Sequence, residues 1–89
     1  MKFPDEVLQA IAARMTESSW EILEILSAKE SMAVLNLMEL TELKQAKFFA
    51  ELARLDGPVL IDQQRDPKDN RRVLVSINSN GLALLKLKP

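Results

Sequence analysis

Seven side chains in the second half of this 89-residue sequence have the types and spacing to do chemistry. Lys44, Gln45 and Lys47 crowd together, and Arg65, Lys68, Arg71 and Arg72 follow as a second group. Ammonium and guanidinium groups make charge-assisted hydrogen bonds to anionic oxygens, while a primary amide offers a donor beside an acceptor. This is the chemistry of recognition rather than of bond breaking. The sequence contains no cysteine and no histidine. Disulfides, thiolates, imidazole bases and the usual zinc or iron ligands are therefore unavailable, and only carboxylates and lysines remain as reacting groups. No motif for phosphate, metal or covalent catalysis is present, so neither an enzyme nor a metal or cofactor is expected.

The formal net charge is -1, but its distribution matters more than its total. Residues 1–40 sum to -4 and residues 41–89 to +3. Both cationic groups lie in the positive half. The stretch from Arg65 to Arg72 holds four cations against Asp66 and Asp69, a local balance of +2. An acidic back and a cationic front are what a surface facing an anionic polymer requires.

The elements that must hold these groups follow from periodicity. With 47% hydrophobic residues, the chain can bury one core, and a single domain over 1–89 is the expectation. Phe3-Pro4-Asp5-Glu6 opens a first helix, with Pro near its first position and acids in its first turn; Val7, Leu8, Ile11, Ala12 and Met15 give it one apolar side ending near Thr16. Ser18 with Glu21 reads as a capping box opening a second helix that carries Leu23, Ile25, Leu26 and the only tryptophan, Trp20, as a core anchor. Ser27 to Ser31 is a polar turn into a third helix, Met32 to Leu40, capped by Ser31, and Leu43 plugs the angle before a fourth. In that fourth helix, about Lys44 to Leu55, Phe48, Leu52 and Leu55 define the buried side, so Lys44, Gln45, Lys47 and Glu51 point outward. Phe49 lies off the core stripe, and three roles are open to it: packing beneath the first helix, meeting a thymine methyl, or making a protein contact.

Asp56-Gly57-Pro58 ends the fourth helix, with Gly57 as a left-handed cap. Val59-Leu60-Ile61 is a buried β run, Gln63 to Arg72 a polar tip with turn formers, and Val73, Val75 and Ile77 alternate as a second strand. Asn78 to Gly81 punctuates the end, and Leu82 to Leu87 forms a short last helix. Helix, turn, helix and charged hairpin in that order predict an α+β, mostly helical fold: a winged helix-turn-helix with a C-terminal β-hairpin wing, the helix-turn-helix at about 32–55 and the wing at about 59–77. In such folds a short strand before the third helix often pairs with the wing, and Met32 and its neighbours are placed to supply it. A reader helix inserts its N-terminal turns into the major groove, where Lys meets guanine acceptors or phosphate and Gln pairs with adenine. The wing cations would track the phosphate backbone or enter the minor groove.

The run Arg65-Asp66-Pro67-Lys68-Asp69-Asn70-Arg71-Arg72-Val73-Leu74-Val75-Ser76-Ile77-Asn78-Ser79-Asn80-Gly81 resembles the wing and following turn of the MarR-type regulators, roughly R-D-P-x-D-x-R-x-x-x-V-x-L-T-x-x-G. Upstream, Lys44 to Phe48 falls on that family's recognition-helix start and Leu55 on its Leu-Glu pair. Lys44 and Ala46 replace small hydroxyls, Val59 stands where the family has Gly, and Asn78 replaces a capping Thr. The resemblance implies a duplex-DNA-binding transcriptional regulator, with Lys44, Gln45, Lys47, Arg65, Lys68, Arg71 and Arg72 on DNA and Asp69 orienting Arg71. It also implies a homodimer, because one lobe covers little DNA. The family dimerises through long terminal helices and often binds effectors beside them, so an effector pocket of that kind is not expected in a chain ending at Pro89.

No stretch is apolar enough for a membrane span, and Asp5 and Glu6 sit where a signal peptide would be basic, which together predict a cytoplasmic protein. The rival expectation is a winged helix that contacts protein instead of DNA, an anti-repressor or assembly module. Overall acidity, Glu42, Glu51 and Phe49 favour that rival.

Overall fold

The computed structural model describes residues 2–89. Its elements are α1 (Asp5–Ala12), α2 (Glu17–Ser27), β1 (Met32–Ala33), α3 (Val34–Thr41), α4 (Gln45–Asp56), β2 (Ile61–Asp66), β3 (Asp69–Ile77) and α5 (Ser79–Leu85). The three strands form one antiparallel sheet in the order β1-β3-β2. This is the winged helix-turn-helix architecture. Met32 pairs with Val75 and Ala33 with Leu74, so the short strand before α3 does pair with the wing.

The core is one cluster. Trp20, Ile22, Leu23 and Leu26 of α2 share it with Leu37 of α3 and Phe48, Leu52 and Leu55 of α4, and it also takes in Leu60, Ile61 of β2, Val75 of β3 and Leu84 of α5. The helical spacing of Phe48, Leu52 and Leu55 and the alternation centred on Val75 carry through to burial, and Leu43 packs half-buried against the same cluster. Val73 and Ile77 are half-buried on the same side of β3.

Several local expectations are corrected. The first helix stops at Ala12, short of Thr16, because Thr16 takes a different role: it is the N-cap of α2. Its hydroxyl accepts from Ser19 N at 3.1 Å, and Ser19 Oγ accepts from Thr16 N at 2.9 Å, a reciprocal box two residues upstream of the Ser18–Glu21 pair. Ser31 does not cap α3; Met32–Ala33 are drawn into the sheet, and Ala33 becomes the N-cap with no side-chain bond. Glu42, at φ 59, closes α3 in the left-handed region.

Gly57 is not a left-handed cap either. It stays right-handed at φ -53, and the left-handed residue is Val59 at φ 58. Val59 is exposed rather than part of a buried strand, and β2 begins only at Ile61. From there pairing runs through Gln63, Gln64 and Arg65, residues expected in a polar tip. Their backbones ladder against β3 whatever their side chains, because the ribbon projects beyond the core with both faces wet. The last helix starts at Ser79, earlier than Leu82, because Asn78 Oδ1 accepts from Gly81 N at 3.0 Å.

Candidate nucleic-acid interface

The wing is stiffened by its own acids. Only Pro67 and Lys68 lie between the strands, with Asp66 opposite Asp69. Asp66 Oδ1 accepts from Lys68 N at 2.9 Å, while its Oδ2 stands 4.0 Å from Arg72 Nη1. Asp69 Oδ1 accepts from Arg71 N at 3.1 Å and lies 3.4 Å from Arg71 Nε. Arg65 Nη1 donates across the ribbon to the Asn70 carbonyl at 2.7 Å. The Asp–Arg contacts are solvent-screened and add little stability. Their effect is on direction: each carboxylate accepts one backbone N–H and faces one guanidinium. The Arg71 side chain is 93% exposed.

Lys44 is the N-cap of α4 and lies just outside it, with Gln45 and Lys47 in the first turn. At about 100° per residue, the face opposite Phe48, Leu52 and Leu55 is made of Ala46, Ala50 and Ala53, all exposed. Gln45 and Phe49 fall on one flank of this alanine stripe, Lys47 and Arg54 on the other. The stripe stands in the sequence as a repeat at four and three residues, interleaved with long cations.

The wing stands on the Phe49 flank. Arg71, Arg72 and Val73 share a groove of about 540 Å³ with Phe49 and the start of α3, where Leu35 is 60% exposed. Phe49 meets the buried Phe48 edge-to-face, with ring centroids 5.2 Å apart. Arg71 and Arg72 are thus brought to the Phe49 flank of α4, whereas Lys47 lies about 160° round the helix from Phe49.

Glu51 does not point outward. It is buried, accepts from Thr16 Oγ1 at 2.5 Å, and lies 3.8 Å from Lys47 Nζ and 3.6 Å from Arg54 Nε. An acid on the core side of a helix needs such partners, because an unpaired buried carboxylate is strongly disfavoured. Its place at i+4 from Lys47 was readable, but the hydroxyl it meets lies 35 positions upstream.

A helix-turn-helix with a cationic hairpin against the flank of its second helix defines the class: a winged helix domain of the kind found in transcriptional regulators. No protein-family model matches the chain, and no curated protein does. Solved structures do. A probable transcriptional regulator from Pseudomonas aeruginosa is 30% identical, with TM-score 0.77 over 93% of this chain and 66% of that one. ZitR of Lactococcus lactis, a zinc-responsive MarR family member, is 26% identical with TM-score 0.73, over 81% of this chain and 49% of that one. The S. aureus MepR–DNA complex is 19% identical with TM-score 0.79, over 93% and 67%. The chain is similar in fold to MarR-type winged helix-turn-helix proteins of solved structure. It spans about half to two thirds of the length of the first structures it matches. PcaV of Streptomyces coelicolor and the Pseudomonas protein are transcriptional regulators. Among the described residues no helix is long and apolar enough to cross a membrane.

Proposed function

We propose that the chain, acting as one winged helix domain, binds duplex DNA as a sequence-specific transcriptional regulator, as a homodimer in the cytoplasm. The observation that carries this reading is the placing of Arg71 and Arg72 beside Phe49, on the flank of α4 next to its exposed alanine front. Alanines on that front let the helix backbone approach a groove floor closely and meet thymine methyls. Lys44 and Gln45 lead the helix into the major groove, Lys47 reaches the phosphates on the far flank, and Arg65, Lys68, Arg71 and Arg72 hold backbone or minor groove, with Asp69 orienting Arg71. The MepR–DNA complex shares the fold and so supports the docking mode.

Fluorescence anisotropy with random duplex tests it. Affinity should fall linearly on a log–log salt plot, and Arg71→Ala should weaken binding about threefold at low salt while flattening the slope by about one unit. No association at low ionic strength would remove the DNA reading. One observation favours a second reading: the groove beside the wing exposes Leu35 and Phe49, apolar surface of the sort that protein contacts use. Under that reading Phe49→Ala abolishes partner binding and Arg71→Ala does not.

A further inference from the structure

We infer that Glu51 is a positioning residue that limits how much of the charge of Lys47 is delivered to DNA phosphates, and so holds down sequence-independent binding. The inference rests on the DNA-binding reading above and deepens it. Glu51 is the buried acid of α4, its side chain 5% exposed, and it faces two cations of the same helix, Lys47 at 3.8 Å and Arg54 at 3.6 Å. Both cations sit on the flank away from the wing. There the carboxylate reduces two positive charges to a net of one.

Burial makes this carboxylate more effective than a surface acid. Removed from water, its field is less attenuated by solvent and salt than that of an exposed group. It is also fixed in place. Thr16 Oγ1 donates to it at 2.5 Å, and Thr16 is the N-cap of α2, so the carboxylate sits near the positive end of that helix dipole. Lys47 is less fixed. Its side chain is 56% exposed and its Nζ stands beyond hydrogen-bonding distance from Glu51. Lys before Glu at i, i+4 is the weaker order on a helix, so the ammonium can reach outward while its charge stays partly cancelled.

Glu51→Gln separates charge from structure, since the amide oxygen can still accept from Thr16 and the volume barely changes. Random-duplex affinity at low salt should rise about threefold and the log–log salt slope should steepen by about one unit. Adding Lys47→Ala to Glu51→Gln should restore the original slope. Glu39→Gln, which removes an exposed acid of α3, should leave the slope unchanged and is the control for charge alone. A wild-type chain that binds, with a slope that Glu51→Gln moves no more than Glu39→Gln does, overturns the role of Glu51 and leaves the DNA reading intact. If neither wild type nor Glu51→Gln associates at low salt, the DNA reading itself fails and takes this inference with it. Should circular dichroism show Glu51→Gln unfolded, Glu51→Ala takes its place: a slope steeper by about one unit supports the masking, and an unchanged slope overturns it.

Discussion

Gly81→Ala is expected to destabilise the protein by about 2–3 kcal/mol, the upper part of the range for forcing extra atoms into a packed site, even though alanine is the better helix former by up to about 1 kcal/mol. A Cβ at Gly81 would overlap the Leu60 carbonyl oxygen and come within 2.6 Å of Ile77 Cγ1. Neither neighbour can retreat at little cost. The Leu60 carbonyl accepts from Asn78 N at 3.2 Å, and Ile77 is the last residue of β3, in register with Ile61. Asn78 also donates from Nδ2 to the Val59 carbonyl at 2.8 Å and caps α5 through Gly81 N. The α4–β2 and β3–α5 corners are therefore stitched together at the point where Gly81 sits. Pushing α5 away would break that stitch and loosen the base of the wing. Gly57→Ala is the built-in contrast: an added Cβ meets only the Ala53 carbonyl at 3.5 Å, and the one cost is the right-handed backbone before Pro58, which is disfavoured but accessible to alanine. Urea denaturation should lower the midpoint for Gly81→Ala far more than for Gly57→Ala, where the lost freedom of the unfolded chain offsets the pre-proline cost. Equal or greater stability for Gly81→Ala would contradict the packing account.

The difference between these two glycines shows where reading the sequence reached its limit. Gly57 beside Pro58 carries the local signature of a helix stop, and the helix does stop there; what local signature cannot supply is the dihedral each residue adopts once the chain is pulled into a sheet. Periodic features transferred well. Phe48, Leu52 and Leu55 had to share one face, and Val73, Val75 and Ile77 another, because side-chain direction repeats with the backbone. Features set by a distant partner did not transfer. Thr16 and Ser18 are both plausible caps, and a carboxylate on α4 faces Thr16. Gln63 to Arg65 read as a loop by side chain and form a strand by pairing with Val73 to Val75. The candidate interface divides the same way. Its cations were evident from type and spacing, with the wing acids beside them. The flank of α4 on which each one stands, and the burial of Glu51, depend on how the wing and α2 pack against that helix, which no local window of sequence contains.

Val59→Gly is expected to stabilise the protein by about 1 kcal/mol, although it removes a side chain and frees the unfolded chain. Val59 lies at φ 58, where Cβ crowds the following carbonyl; this costs about 1–2 kcal/mol for an ordinary residue and is least tolerable for a β-branched one. Little packing would be lost, because Val59 is 53% exposed. Against the relief stands the extra backbone entropy of unfolded glycine, about 0.5–1 kcal/mol. Relief wins by a modest margin. The position is held left-handed by its surroundings: Val59 N donates to the Asp56 carbonyl at 3.0 Å, Leu60 N to the Leu55 carbonyl at 3.1 Å, and Asn78 Nδ2 to the Val59 carbonyl. These bonds fix the angle at which β2 leaves α4 and hence the angle at which the wing stands beside it. A melting temperature about 4–8 °C higher in Val59→Gly is the expected reading for a domain of this size. Val59→Ala supplies the check, since it trims the side chain without freeing the dihedral and should fall well short of glycine. If alanine and glycine stabilise equally, loss of side-chain crowding rather than relief of the left-handed backbone is the cause, and the wing angle is not held under strain at this corner.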